Sequence, residues 1–310
     1  MSKLAILGPG QGAQTPDLFE RFPFTEKGLA LRQRILNAGS LTPDVAAWLA
    51  DPAVDPQALY ENHFSQPLLA LFQAMVWEEL RGLLPSPDVI AGYSLGELSA
   101  YGCAGALSPE VVVRLAGIRA RLMDEASPHG ALLAVTGLSP EKATEAARLG
   151  GGHLAIVIAE DHCVLGSLAT QAERLAQAAH AAGAREVTRL AVSIASHTPL
   201  LDAAVEPFRT ALEEAVWNEA RTPVLAGINA TKVMRREQML AWLPEQIHRT
   251  IRWDHCLQRL SESGCRILLE LGPGKQLSHM GLACGLEARS VEEFRSVEGI
   301  VAWVEKSLQS

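Results

Sequence analysis

The chain has 310 residues, 48% of them apolar and 20% charged, with a formal net charge of −8. That length buries a substantial core and exceeds one simple domain, so two domains or one large domain with an insertion would fit. The acidic balance argues against nucleic acid, whose phosphates call for a cationic face. The five scattered cysteines form no Cys-x-x-Cys pair and read as reduced thiols, and no histidine stands at zinc-ligand spacing, so no metal site is expected. No signal-peptide pattern or run of about 18 apolar residues is present, which leads to the expectation of a soluble, cytoplasmic protein.

Residues 4–7 read as a first strand. It ends in Gly8-Pro9-Gly10-Gln11-Gly12-Ala13-Gln14, a glycine-rich loop able to bring backbone close to a ligand. Helical segments are expected around 29–37, 43–49 and 55–61. The spacing of Leu68, Leu69, Leu71, Phe72, Met75, Val76 and Leu80 predicts another helix over 67–83. Residues 88–92 read as a short buried strand that meets a tight turn at Tyr93-Ser94-Leu95, with a helix from Gly96.

Between Gly130 and Ser193 the texture changes. Strand 131–136, helix 139–148, strands 153–159 and 163–166, helix 171–182 and strand 186–194 give the βαββαβ order of a ferredoxin-like unit. Strand signals resume at 224–227 and 267–271. The expected fold class is α/β: a large α/β-hydrolase-like domain from residues 1–128 and 196–310, interrupted by a ferredoxin-like small domain at 129–195. A cleft between the two is a natural place for a site.

Gly92-Tyr93-Ser94-Leu95-Gly96 is the strongest chemical signal. A nucleophile elbow needs small residues two positions either side of the serine because the backbone is cramped there. The turn lifts Oγ into the open and frees the next backbone N–H to bind an oxyanion. The strand–turn–helix context separates this reading from an ordinary N-capping serine. A serine hydroxyl needs a base. His63, His129, His153, His162 and His180 fit solvated or packing positions, whereas His197 stands where the chain re-enters the large domain. Residues 8–14 lack Gly-x-Gly-x-x-Gly spacing, and Gly272-Pro273-Gly274-Lys275-Gln276 lacks the length and Ser/Thr of a Walker loop, so no nucleotide cofactor is expected.

Together these segments resemble the malonyl-CoA:acyl carrier protein transacylase family over nearly the whole chain. Residues 9–14 are similar to its PGQGxQ signature and 92–97 to its GHSxGE elbow. Arg119, in Ile118-Arg119-Ala120-Arg121, is similar to its substrate arginine, and Ser196-His197 to its histidine. Glu270-Leu271-Gly272-Pro273-Gly274 resembles its ExGPG segment, and Arg252-Trp253 with Gln246 upstream resembles the stretch before it. The resemblance implies a ping-pong mechanism with Ser94 as nucleophile, His197 as base and the backbone N–H groups of Gln11 and Leu95 as oxyanion hole. It also implies that a main-chain carbonyl beside Gln246 orients the histidine in place of a carboxylate. Arg119 would hold the free malonyl carboxylate, a pairing that suits a planar guanidinium and that acetyl cannot satisfy. Arg121, off that face, reads as solvated. No cofactor is implied; the substrate would be malonyl-CoA and the acceptor the phosphopantetheine-type thiol of an acyl carrier protein.

Tyr93 stands where the fatty-acid transacylases have histidine, and residues 158–162 lack an asparagine common in those enzymes. Both departures make the chain most similar to the epsilon subunit of malonate decarboxylase, which loads malonyl onto that enzyme's own carrier subunit. A transacylase of fatty-acid or polyketide synthesis is the alternative. A serine thioesterase or hydrolase is the alternative of another class, disfavoured because it needs no malonate clamp. Lys232, Arg235 and Arg236, or Arg185 with Arg189, are candidate basic rims for an acidic carrier protein.

Overall fold

The computed structural model describes residues 2–127 and 129–309. Pro128, the expected domain-boundary residue, lies outside the described residues, as do the chain ends Met1 and Ser310. The strands in chain order are β1 (Lys3–Gly8), β2 (Val89–Gly92), β3 (Gly130–Thr136), β4 (His153–Ala159), β5 (His162–Leu168) and β6 (Glu186–Arg189). They continue with β7 (Val224–Leu225), β8 (Lys232–Val233), β9 (Ile251–Arg252), β10 (Cys265–Glu270) and β11 (Glu287–Ser290). The first helices are α1 (Glu26–Asn37), α2 (Pro43–Ala50), α3 (Asn62–Leu80), α4 (Leu95–Cys103), α5 (Pro109–Ala126), α6 (Pro140–Gly150) and α7 (Ala172–Ala181). The remainder are α8 (Asp202–Glu213), α9 (Arg236–Trp242), α10 (Trp253–Glu262), α11 (Gln276–Ala283) and α12 (Val297–Leu308). Among the described residues no helix is long and apolar enough to cross a membrane.

The large sheet runs β11-β10-β1-β2-β7-β8, parallel except for the β7–β8 pair. Its central strands read as unbroken apolar runs because both faces are covered. Leu4 and Ile6 enter the main core with α1, α3, α5 and α8, while Ala5 and Leu7 point to a second core on the opposite face. The small sheet runs β6-β3-β5-β4, antiparallel, with α6 and α7 on one side. Ala172, Leu175 and Ala179 are the buried stripe of α7, at helical spacing. The other side of this sheet, through Leu132, Ile156 and Val164, joins Leu7, Ala91, Leu225 and Trp253 in the second core, so the small domain is seated on the large sheet.

The differences from the sequence reading have local causes. Residues 55–61 hold only a 3-10 turn at Ala58–Tyr60, because the Asp55 carboxylate takes the amides of Gln57 and Ala58. The helix expected over 67–83 starts five residues earlier, at Asn62, where the Glu61 carbonyl accepts from Ser65 N–H, and it ends at Leu80. The last small-domain strand stops at Arg189 rather than 194. The small sheet also gains a fifth strand, β9, which arrives from the C-terminal part of the chain and pairs in parallel with β4.

Candidate functional site

Ser94 is separated from the end of β2 by one residue, Tyr93, and directly precedes α4, with φ 55° and ψ −115°. Such a backbone costs on the order of 1–3 kcal/mol and persists only where its surroundings enforce it. Here the enforcement is steric. A Cβ on Gly92 would lie 2.1 Å from Glu97 N, and one on Gly96 would lie 1.9 Å from Gly8 O. The glycine-rich loop leans on the same turn, since a Cβ on Gly10 would lie 2.9 Å from Tyr93 O and 3.6 Å from Ser94 Cβ. That loop is pinned to α3: Gln11 Nε2 donates to Ser65 Oγ at 2.9 Å, and Gln73 Nε2 donates to Pro9 O at 2.8 Å. The ring of Tyr93 packs edge-on against buried Trp253, with centroids 5.4 Å apart.

His197 is buried and also takes a positive φ, 64°. Its Nδ1 lies 2.5 Å from Gln246 O and its Nε2 lies 2.8 Å from Ser94 Oγ. A carbonyl can only accept, so Nδ1 carries the hydrogen and Nε2 is left to accept from the Ser94 hydroxyl. The carbonyl is that of Gln246, the residue singled out from sequence as orienting the histidine. Burial holds the His197 imidazolium far below its ordinary value, to about 3, and the Arg119 charge pushes the same way. The imidazole is therefore neutral and ready to accept a proton.

Arg119, on α5, is fully buried, with Nη2 3.5 Å from Ser94 Oγ. Its Nη1 donates to Gln66 Oε1 at 2.7 Å and its Nη2 to Gln246 Oε1 at 3.0 Å. Burial lowers its pKa to about 10, with the charge of Glu97 opposing the shift. Arg121 is exposed and pairs with Glu125 at 2.8 Å. Gln246 Nε2 donates both to Ser94 O at 2.9 Å and to Glu97 Oε2 at 2.8 Å. Glu97 Oε2 also accepts from Gly227 N at 2.9 Å. Burial pushes the Glu97 carboxyl up to about 7, against the pull of these two donors and of Arg119.

The fold thus brings Ser94, His197, Arg119 and Gln246 into one hydrogen-bonded cluster, with the Leu95 amide at the start of α4 and the Gln11 loop beside the elbow. Gln66 and Glu97 belong to this cluster and were not singled out from sequence. Gln66 stands on a helix buried almost all round, where a polar residue needs a partner, and that is the signal that could have flagged it. A cavity of about 600 Å³ opens beside His197, lined also by His153, His248, Arg249 and Arg252. None of Lys232, Arg235, Arg236, Arg185 and Arg189 lines it. Another, of about 560 Å³, lies at the far end of α4 beside Trp77, Cys103 and Arg221 and touches none of the expected site residues.

A serine on a strained strand–helix turn, bonded to a buried neutral histidine, is the geometry of nucleophilic acyl transfer. The chain belongs to the acyl transferase domain family, whose model matches residues 24–300. It is 27% identical over 310 residues to the malonyl CoA-acyl carrier protein transacylase of Haemophilus influenzae, covering 97% of this chain and 98% of that one. It is 29% identical over 291 residues to the Bacillus subtilis protein of the same name, covering 90% and 89%. Among solved structures, a malonyl-transacylase in complex with its type II polyketide acyl-carrier protein superimposes with a TM-score of 0.86 at 27% identity, covering 97% and 99%.

Proposed function

We propose that this acyltransferase moves a malonyl group from malonyl-CoA to the thiol of an acyl carrier protein through an ester on Ser94. The observation that carries the reading is Arg119: a guanidinium enclosed in the protein 3.5 Å from Ser94 Oγ, with neutral amide oxygens as its direct partners. Such a cation favours an acyl group that brings its own carboxylate. In the first half-reaction His197 Nε2 takes the Ser94 proton and Oγ attacks the thioester carbonyl. The C–S bond breaks, and His197 returns the proton to the departing coenzyme A thiolate. In the second, the carrier thiol gives its proton to His197 and attacks the malonyl ester, which restores the Ser94 hydroxyl. The Leu95 and Gln11 amides are assigned to the oxyanion, Leu95 at the N-terminus of α4 where an unpaired N–H is available. The Gln246 carbonyl replaces a carboxylate as the partner that orients the base.

The names of the relatives support a conventional acyl carrier protein of fatty-acid or polyketide synthesis as acceptor, in preference to the malonate decarboxylase carrier. The tyrosine elbow keeps the decarboxylase carrier as a second reading, and transfer assays with both carriers decide between them. The acyl-enzyme itself is tested by intact-protein mass spectrometry. Wild-type protein should gain a malonyl group from malonyl-CoA and little acetyl from acetyl-CoA, and Ser94→Ala should gain neither. Arg119→Ala should lower the malonyl rate about a hundred-fold or more and erase the preference over acetyl. Release of free malonate faster than transfer would make the protein a hydrolase.

A further inference from the structure

Beneath the cluster lies a carboxylate with no place in the reaction just described. Glu97 is completely buried on the first turn of α4, and its side chain makes no hydrogen bond to Ser94 Oγ or His197. Two donors converge on its Oε2: Gly227 N at 2.9 Å, and Gln246 Nε2 at 2.8 Å. The hydroxyl of Tyr101, also fully buried, lies beside the Glu97 carboxylate and interacts with it.

An amide side chain has two nearly isosteric orientations, and its partners decide between them. Gln246 has acceptors at two points, Glu97 Oε2 and Ser94 O, and both face its Nε2. Its Oε1 is thereby left facing Arg119 Nη2 at 3.0 Å. Were the amide to turn over, an NH2 would face the guanidinium and a carbonyl would face a carboxylate and Ser94 O. Arg119 would then lose one of its two amide acceptors, and three pairs of like groups would meet in a buried site where unpaired polar groups are costly.

We propose that Glu97 is a positioning residue for acyl selection: as the acceptor that locks the Gln246 amide, it fixes the Arg119 guanidinium in the pose that discriminates a carboxylated acyl group from a plain one. The inference rests on the reading of Arg119 as the malonyl clamp. What it adds is that selectivity depends on hydrogen-bond acceptance by a side chain that makes no hydrogen bond to Ser94.

Two substitutions separate acceptance from charge. Glu97→Gln keeps an oxygen at the same reach and removes the charge; Glu97→Asp keeps the charge and withdraws the oxygen by one methylene. The measurement is the ratio of kcat/KM for malonyl-CoA to that for acetyl-CoA, from rates of Ser94 acylation. Glu97→Gln should hold this ratio within about threefold of wild type, and Glu97→Asp should lower it at least tenfold, mainly through KM for malonyl-CoA. A structural defect alone would slow both thioesters together and leave the ratio in place. If both variants keep the wild-type ratio, or if Asp keeps it and Gln loses it, the orienting role is wrong. Wild type and Arg119→Ala are run alongside. A wild-type enzyme without malonyl preference would remove the clamp and the inference with it. A preference that Arg119 controls and Glu97 does not would remove the inference alone.

Discussion

At the scale of residues, the site depends on a histidine that is difficult to protonate. His197 has a folded pKa near 3, far below its ordinary 6.5, because burial and the Arg119 charge both disfavour the imidazolium. In the proposed mechanism the neutral form is the base, so activity that depends on it should persist as pH falls and be lost only through the folded value. Single-turnover malonylation should accordingly show its acid limb below about pH 5. A limb centred near 6.5 would mean that the ring is solvated in the working enzyme. A base this weak must be helped by lowering the energy of the anion it creates, which puts weight on the Leu95 and Gln11 amides. The elbow turn was legible in the sequence because its constraint is local: Gly92 and Gly96 are demanded by contacts within the turn and with Gly8. The supports were not. Gln66 lies 53 positions from Arg119, and Gln246 lies 149 from Glu97, so only the folded chain shows that they meet.

At the scale of elements, the type and order of the long strands and helices were read correctly, and the misses fall at element ends and short segments: the start of α3, the turn at Asp55, the end of β6 and the two-residue β9. The ferredoxin-like order is plain in alternating and helical spacing, while Asp55 turned an expected helix into a single turn. The end of β10 carries a second device of this kind. Glu270 is buried, and its two oxygens accept from Leu277 N at 3.2 Å and Ser278 N at 2.8 Å, closing the start of α11. Burial outweighs these bonds and lifts its carboxyl from 4.5 to about 7. A group whose folded value is raised binds its proton more tightly when folded. Its contribution is therefore present below 4.5 and is lost as pH rises through about 7. The denaturant midpoint should fall between pH 5 and pH 8 by more in wild type than in Glu270→Gln. Equal pH dependence in the two proteins would show that Glu270 stays ionised in the fold.

At the scale of the whole molecule, the proposed function asks a protein of net charge −8 to receive an acidic carrier at a locally tolerant mouth. The cavity beside His197 offers Arg249, Arg252, His153 and His248, whereas the arginines and lysine picked out from sequence lie elsewhere. Arg249→Glu should raise KM for the carrier several-fold at low ionic strength, and the effect should shrink as salt is added. Reversal of Lys232, Arg235 and Arg236 together should raise it less; the opposite ranking would move the docking face to that cluster.

The two residues of β9 bear on how the cleft works. Their strand is hydrogen-bonded to β4 in the small sheet, while Arg252 N donates to Gly227 O at 2.8 Å in the large domain, next to the amide held by Glu97. The stitch crosses the place where a hinge would have to be. Swinging the small domain open would tear backbone hydrogen bonds and uncover the shared apolar face of Leu132, Ile156 and Val164. Under the proposed function, donor and acceptor arms would therefore exchange without the small domain swinging away from the large sheet.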